Sequence, residues 1–534
     1  MKGSFALVLH AHLPFVRHPE HDEFLEEDWL FEAITETYIP LLEVFEKLLE
    51  DGVRLRVSMS VTPTLASMLA DPLLQSRYRR RIGCLIELAE REVQRTRWLP
   101  DFQETARHYL DRFRRCREVF EDRCHGNLLG ALSELARQGG LELLTCAATH
   151  GFLPLLSVNP AAVRAQIWMG ARCHRRLLGL EPRGIWLPEC GYTPGLETQL
   201  AREGIRFFLV DAHGVLSATP APKLGVFEPV RCGGSVAAFG RDLESSRSVW
   251  SANVGYPGDP EYRDFYRDIG YDLDYDYVQP YIRRADRRIP IGIKYHRITG
   301  PTDAKLPYRP EAARERAAVH AGDFVGKRVA QVERVFAQTG RRPIVVSPYD
   351  AELFGHWWYE GPQFVDFMLR KLHFDQQVLR ATTPVEYLDE HPNLQEVRLP
   401  FSSWGHHGYG EVWLNESNDW IYPHLHKAAD RMVQMADRFL HASGLPERAL
   451  NQMARELMLA QSSDWAFIMS HRTAVEYATR RTRDHLGRFA QLHDQLDRDA
   501  SVDERFLAEV ESRDNIFPDL DFRIYSTRVP VLGV

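Results

Sequence analysis

Short apolar runs recur along the first two thirds of the chain, separated by longer segments with helical periodicity. The runs cover residues 5–13, 54–61, 141–150, 184–189, 205–213, 289–296 and 343–350. Hydrophobicity that is continuous rather than alternating predicts strands buried on both faces. The intervening segment 36–52 predicts a helix with a terminal glycine cap. Repeated alternation of strand and helix predicts an α/β fold with a parallel, barrel-like sheet of about seven strands.

Two stretches interrupt this alternation. Residues 72–138 are rich in Arg, Glu and Leu at helical spacing, and helical patterns fill the chain from about 420 onward. The charge runs in the first stretch are typical of a solvated helix face, and the Met and Leu stripes in the second are typical of a core. We therefore expect a catalytic barrel at 1–71 and 139–400, an inserted helical domain at 72–138 and a helical C-terminal domain at 401–534.

Composition and charge narrow the classes of partner. The 534-residue chain has a formal charge of -8 and 26% charged residues, which disfavours nucleic acid as a partner. No run approaches the roughly 18 apolar residues of a membrane helix, so no membrane partner is expected, and the N-terminal residues predict a strand rather than a signal peptide. Seven cysteines without a CxxC pair fit reduced thiols in a cytoplasm.

Most of the apolar runs end in polar side chains. They are His10, His12, Thr149, His150, Glu189, Asp211, His213, His296 and Asp350. In a closed parallel barrel, the carboxyl ends of the strands surround a common mouth. A single acid after a strand is usually only solvated, but several strands with such ends predict one shared site.

Aromatic residues are concentrated in two segments. Residues 347–362 include Trp357, and residues 401–420 include Trp404, Tyr409, Trp413 and Trp420. The flat faces of Trp and Tyr stack on pyranose rings, although such residues can also form a buried cluster that seals a barrel mouth. Two acids on different strands that open into an aromatic groove indicate glycosyl transfer or hydrolysis, with one acid ionised and the other protonated.

Two other classes of protein remain open on these residues. His10 and His12 lie on one face of a strand, because side chains alternate with period two, and Asp211 or His213 could complete a set of zinc ligands. That set would make a zinc-dependent hydrolase such as a polysaccharide deacetylase. A catalytically silent glucan-binding protein would keep the tryptophans but would not need both acids.

Several segments in order resemble one known family. They are HAHLPFVRH, ATHGFLPLL, GIWLPECGY, SPYDAELFGHWWYEG and SSWGHHGYGEVWLNESNDW, followed by SSDWAFIM at 462–469. Together they resemble glycoside hydrolase family 57, and within it the branching-enzyme group. The resemblance implies a distorted (β/α)7 TIM-like barrel with an inserted helical domain and an α-helical C-terminal domain. It also implies retaining transglycosylation on α-1,4-glucans such as amylose, amylopectin and glycogen, without a metal or other cofactor.

The same resemblance implies roles for individual residues. Glu189 matches the nucleophile and Asp350 the general acid/base. The expected substrate-binding residues are His10, His12, His150, Trp186, Asp211, His213, Arg241, Tyr295, Trp357, Trp404, Trp413, Asp464 and Trp465.

One connection departs from the pattern of the group. Branching members carry a mobile loop with a tyrosine at its tip after the Asp-Ala-His strand end. Here the corresponding connection, residues 213–242, is shorter, and the best candidate for the tip is Phe227. A shorter lid without a hydroxyl group would admit more water, although Tyr256 and Tyr295 could help to shield the site. A hydrolytic α-amylase or a 4-α-glucanotransferase on the same site therefore remains an alternative.

Overall fold

The computed structural model describes residues 1–251, 254–282, 287–498 and 501–528. The strands are β1 Gly3–Ala11, β2 Val57–Val61, β3 Leu141–Cys146, β4 Gly184–Trp186, β5 Phe207–Val210, β6 Val230–Arg231, β7 Ala237–Gly240, β8 Ile344–Asp350, β9 Leu379–Ala381 and β10 Gln395–Glu396.

The helices of the first 400 residues are α1 Asp28–Ala33, α2 Ile39–Glu50, α3 Pro63–Leu69, α4 Pro72–Arg95, α5 Pro100–Arg117, α6 Leu128–Arg137, α7 Leu153–Leu156, α8 Pro160–Leu178, α9 Leu196–Arg202, α10 Ala212–Leu216, α11 Leu243–Trp250, α12 Ile269–Asp272, α13 Tyr275–Val278, α14 Pro310–Thr339, α15 Gly361–Phe374 and α16 Pro384–Glu390. Those that follow are α17 Ile421–Arg438, α18 Leu445–Ala460, α19 Ser463–His471, α20 Val475–Arg498 and α21 Glu504–Arg513.

A curled parallel sheet forms the centre of the molecule. Its strands run in the order β8, β1, β2, β3, β4, β5, β7, and each neighbouring pair in this path is parallel. Strand β9 pairs with the start of β1, and the short β6 is antiparallel to β7. A backbone hydrogen bond of 2.9 Å from Asp242 N to Val346 O joins the chain after β7 to β8. The predicted α/β fold with a distorted TIM-like barrel is confirmed.

Strand β1 shows how the sequence places its side chains. Phe5, Leu7 and Leu9 belong to the large core beneath the surrounding helices. Ala6 and Val8 belong instead to a separate apolar cluster, together with side chains from β3, β4, β5, β7 and β8. Because side chains alternate along a strand, His10 and His12 continue the inward-facing series of Ala6 and Val8 at the carboxyl end.

One predicted strand is wrong. Residues 289–296 are extended but join no sheet: the backbone N–H groups of Ile291 and Gly292 donate to the carboxylate of Asp268, and Gly292 adopts a φ of +104°. Their alternating isoleucines are buried in the large core. A loop that packs on the core shows the same alternation of buried residues as a strand in a sheet. The seventh parallel strand is β7, which the apolar pattern did not identify.

The inserted helices pair with a later segment of the chain. Helices α4 and α5 pack on each other, and residues within 254–282 and 287–309 contact them. Tyr277 OH donates to Glu92 at 2.7 Å, and Thr105 Oγ1 donates to Tyr308 O at 2.9 Å. Helix α6, in contrast, packs on β3 and α8 at the barrel.

The C-terminal helices send one segment into the barrel mouth. Thr149 Oγ1 donates to Met458 O, Gln166 Nε2 donates to Gln461 Oε1 at 3.1 Å, and Ser463 N donates to His150 O at 3.0 Å. These bonds join the end of α18 and the start of α19 to the chain that follows β3. Across the described ranges, none of the helices is long and apolar enough to cross a membrane.

Candidate active site

Glu189 occupies a constrained backbone position directly after β4. It lies in a single 3-10 turn, Pro188–Cys190, and has a φ of +60°, while Cys190 has a φ of +49°. Two consecutive non-glycine residues in the left-handed region are uncommon and persist only where surrounding contacts hold them. Here Trp404 N donates to Glu189 O at 2.9 Å. The turn directs a buried carboxylate toward the barrel mouth.

The carboxylate of Glu189 accepts hydrogen bonds from donors on both oxygens. Trp404 Nε1 donates to Oε2 at 2.7 Å, while Trp413 Nε1 at 3.2 Å and Ser463 Oγ at 2.8 Å donate to Oε1. Burial raises the pKa of Glu189 to about 7, and the hydrogen bonds from Trp404 and Ser463 oppose that rise. A set of partners that only donate hydrogen bonds favours the ionised form of this acid.

Asp350 has the opposite environment. It ends β8 beside His10 of β1, and its side chain is half-buried. Within the described part of the chain we find no hydrogen bond to its carboxyl group. Burial raises the pKa of Asp350 well above its usual range, and the negative charges of Glu352 and Glu189 raise it further. Hydrogen-bond donors favour the anion at Glu189, whereas neighbouring negative charges favour the protonated form of Asp350, and this is the contrast that a nucleophile and a general acid require.

A chain of hydrogen bonds leads from Glu189 into the barrel. Ser463 Oγ donates to Glu189, so His150 Nδ1, 2.7 Å away, donates to Ser463 Oγ. His150 Nε2 then accepts from His10 Nε2 at 3.0 Å, and His10 Nδ1 accepts from Ser60 Oγ at 2.5 Å. Burial lowers the pKa of His10 and of His150 well below the usual range, which keeps both rings neutral. We call Ser60, His10, His150, Ser463 and Glu189 the hydrogen-bond chain.

His12 carries the positive charge of the site. Its Nε2 lies 3.0 and 3.1 Å from the two carboxylate oxygens of Asp464, and its ring stacks on His150 with centroids 3.7 Å apart. Burial would lower the pKa of His12, but the Asp464 carboxylate outweighs it and the pKa is raised. His12 in turn lowers the pKa of Asp464 to about 2, against the effect of burial. Each member of the pair therefore favours the charged form of the other.

The set of zinc ligands considered from the sequence is not assembled. Asp211 receives two hydrogen bonds from Arg241, at 3.2 and 2.6 Å, and His213 Nε2 lies 2.8 Å from Gly408 O. Nitrogen atoms of His10, His12 and His150 do lie within 4.8 Å of one another. However, these nitrogens are engaged in the hydrogen bonds described above, and two of the rings stack face to face. The geometry does not direct three free lone pairs at one point.

Other predicted residues surround this centre. Trp186 stacks on His10 at 4.4 Å and meets Trp404 edge to face at 5.4 Å, which makes it a wall of the site. Arg241 holds Asp211 and faces Asp350, whose pKa it lowers. Trp465 is fully buried and donates to Leu459 O at 2.8 Å, so it supports the segment that carries Asp464.

Three predicted residues lie elsewhere. Tyr295 is buried, and its hydroxyl donates to Glu92 of α4 at 2.8 Å. Phe227 ends a 3-10 turn and is half-buried against the large core. Trp357 is 53% exposed and stacks on Phe265. None of the contacts described for these three side chains joins them to Glu189 or Asp350.

Four residues of the site were missed from the sequence. Ser60 and Ser463 belong to the hydrogen-bond chain, but single hydroxyl residues give no recognisable pattern. Glu352 accepts from Tyr38 OH at 2.5 Å and from His12 N at 3.0 Å, and burial raises its pKa. Trp250, which ends α11, meets Trp404 edge to face at 6.2 Å and is 38% exposed. Trp250 follows β7, so a sequence pattern that identified β7 would also have pointed to Trp250.

Comparison with known proteins gives consistent matches along the chain. The sequence model of glycosyl hydrolase family 57 matches residues 6–400, and that of the 1,4-alpha-glucan branching enzyme C-terminal domain matches residues 424–525. A Thermococcus kodakarensis protein named 1,4-alpha-glucan branching enzyme is 34% identical over 97% of this chain and 78% of its own length.

Two solved structures resemble the whole fold. A Thermotoga maritima protein described as the novel alpha-amylase AmyC is 44% identical, with a TM-score of 0.93 over 99% of this chain and 100% of that one. A Pyrococcus horikoshii protein described as a GH57-type branching enzyme is 35% identical, with a TM-score of 0.89 over 100% of this chain and 98% of that one.

Proposed function

The chain belongs to glycosyl hydrolase family 57, and from that premise we propose that it is a 1,4-α-glucan branching enzyme. It would cleave α-1,4 links in glycogen-like glucans and rejoin the released segment as an α-1,6 branch. The observation that carries the chemistry is the contrast between Glu189, with three hydrogen-bond donors, and Asp350, which faces two other acids. The branching-enzyme match over 424–525 and the relative of that name support the choice of acceptor.

In the first half of the reaction, a carboxylate oxygen of Glu189 attacks the anomeric carbon of an α-1,4-linked chain. Asp350 gives its proton to the departing glycosidic oxygen, so the bond breaks without releasing an alkoxide. The product is a glycosyl ester on Glu189 and an ionised Asp350. Trp404, Trp413 and Ser463 fix the carboxylate, which limits the reorientation needed before the attack.

In the second half, Asp350 acts as the base. It removes a proton from the 6-hydroxyl group of an acceptor glucan, whose oxygen attacks the anomeric carbon and frees Glu189. Two inversions at one carbon retain the α configuration. Branching requires that an acceptor chain reaches this centre before water does. Trp404 and Trp250 lie at the mouth, and a sugar of the acceptor chain can stack on their rings.

Hydrolysis on the same two acids is the second candidate, and a specific observation favours it. The structurally similar Thermotoga maritima protein, at 44% identity, is described as an alpha-amylase. Water in place of the 6-hydroxyl group would complete the same second half. The predicted lid candidate, Phe227, is half-buried against the core, which leaves the shielding of the glycosyl ester to other residues.

The deciding experiment is proton NMR of amylose incubated with the protein. New α-1,6 linkages that greatly outnumber new reducing ends would support branching, whereas reducing ends without branches would establish an amylase. Chain redistribution with neither product would indicate 4-α-glucanotransferase activity.

The nucleophile assignment has a separate test. Glu189→Gln preserves the size of the side chain but removes the attacking carboxylate, so turnover should be abolished while glucan affinity is largely kept. A Gln variant with near-normal turnover would contradict the role of Glu189.

We place the reaction in the cytoplasm. All seven cysteines are free thiols, and burial raises the pKa of several of them, including Cys116, Cys146 and Cys173. Cysteines that form no disulfide bonds are typical of proteins in a reducing compartment.

A further inference from the structure

Two exposed aromatic rings, those of Trp357 and Tyr266, contact the half-buried Phe265 outside the centre described above. Trp357 and Phe265 stack with centroids 4.3 Å apart and an interplanar angle of 18°, and Trp357 is 53% exposed. Tyr266, next along the chain, is 80% exposed and meets Phe265 edge to face at 5.1 Å. We call Phe265, Tyr266 and Trp357 the aromatic platform. Contiguous exposed aromatic surface of this kind is typical of a ligand or partner site.

The platform rests on a rigid base. Arg263, which is buried, pairs with Glu36 at 2.7 Å, and Asp264 pairs with Lys305 at 2.8 Å. The Asp264 carboxylate also accepts from the backbone N–H groups of Tyr266 and Arg267, at 2.8 and 3.0 Å. These contacts fix the turn on either side of the rings. A pre-organised exposed surface loses little conformational entropy when a ligand binds.

The base of the platform is continuous with the catalytic loop. Trp357 N donates to Glu352 O at 3.2 Å, and the carboxylate of the same Glu352 accepts from His12 N at 3.0 Å. Trp357 lies seven positions after Asp350 in the chain, so their Cα atoms are at most about 25 Å apart. A glucan chain that extends from the acids along this loop therefore reaches the rings within a few sugar units.

We propose that the aromatic platform binds a segment of the α-glucan chain beyond the sugars held at the two acids. The proposal rests on the proposed function for the identity of the glucan. The exposed faces supply the stacking surface for the apolar side of a pyranose ring. His356, whose ring meets Phe265 at 5.4 Å and Trp357 at 5.6 Å edge to face, supplies a polar group for its hydroxyl edge, and the ion pair of Arg267 with Asp272 follows Tyr266 in the chain. This charged surrounding differs from the apolar centre of a protein interface, which is depleted in charge.

The principal test uses Tyr266→Ala, with Phe374→Ala as the control. Phe374 is also an exposed aromatic residue, 62% exposed at the end of α15, and does not belong to the platform. Affinity electrophoresis in amylopectin gels should show about fivefold to tenfold weaker retention for Tyr266→Ala. Retention of Phe374→Ala should equal that of the wild type. KM for amylopectin should rise by the same factor, with kcat and turnover of a short maltooligosaccharide unchanged. Trp357→Ala should weaken retention at least as much.

The possible outcomes separate the two proposals. Equal retention of wild type, Tyr266→Ala and Trp357→Ala would overturn the platform while leaving the catalytic proposal intact. Equal losses on long and short substrates would place Tyr266 in the catalytic groove and also overturn it. If the platform variants differed from the wild type in oligomer mass by light scattering but not in glucan retention, the rings would be a protein contact instead, and the platform proposal would be overturned. A wild-type protein that neither binds amylopectin nor acts on any α-glucan would refute the proposed function itself.

Discussion

Ser463→Ala tests whether the hydrogen-bond chain controls the nucleophile. The change removes the hydroxyl that donates to Glu189 Oε1 at 2.8 Å and accepts from His150 Nδ1 at 2.7 Å. A hydrogen bond to a charged group is worth about 1.5–3 kcal/mol. If about half to all of this is expressed in the transition state, kcat/KM falls roughly 4- to 160-fold. Because the lost donor favoured the anion, the pKa of Glu189 rises further above its present value of about 7.

The assay is kcat/KM on amylose between pH 5 and 9. Glu189 must be ionised to attack, so wild-type activity rises as pH increases through about 7. In Ser463→Ala this acid limb moves to higher pH by about one unit, because one unit corresponds to about 1.4 kcal/mol. Ser463→Thr keeps the hydroxyl and serves as the conservative rescue. Activity within twofold of wild type with an unmoved acid limb in Ser463→Ala would refute this account of the chain.

Three further predictions concern other groups. Glu352→Gln removes a negative charge that raises the pKa of Asp350, so the alkaline limb of the same pH profile should move to lower pH; an unmoved limb would contradict this source of the shift. Burial lowers the pKa of His174 to about 3, below its unfolded value near 6.5, so stability is lost as pH falls between these values, by about 2 kcal/mol at pH 5. His174→Leu should therefore lose less melting temperature than wild type between pH 7 and 5, and an equal loss would show that other groups dominate. Exhaustive chelation should leave amylose turnover unchanged; loss that zinc restores would revive the metal alternative.

The acids were accessible from the sequence because they follow strand patterns directly. Glu189 and Asp350 each end a buried apolar run, and parallel strands bring such ends to one mouth. The two strand errors had a common physical cause. The isoleucines at 289, 291 and 293 are buried and alternate along the chain, and this pattern is the same whether the segment pairs in a sheet or packs as a loop. Strand β7, in contrast, is four residues long and contains no β-branched side chain.

The hydrogen-bond chain was inaccessible for another reason. Ser60 and Ser463 are 403 residues apart in the sequence and meet only through two histidines. No local pattern distinguishes a serine that donates to a catalytic acid from one that faces water. Such a role follows from tertiary contact alone.

All three donors to the Glu189 carboxylate, Trp404, Trp413 and Ser463, lie beyond residue 400, as does Asp464, the counter-ion of His12. A nascent chain that has just released its barrel from the ribosome therefore carries both acids but cannot yet hold its nucleophile. The groups that hold the nucleophile are therefore made only in the last quarter of synthesis, after both acids.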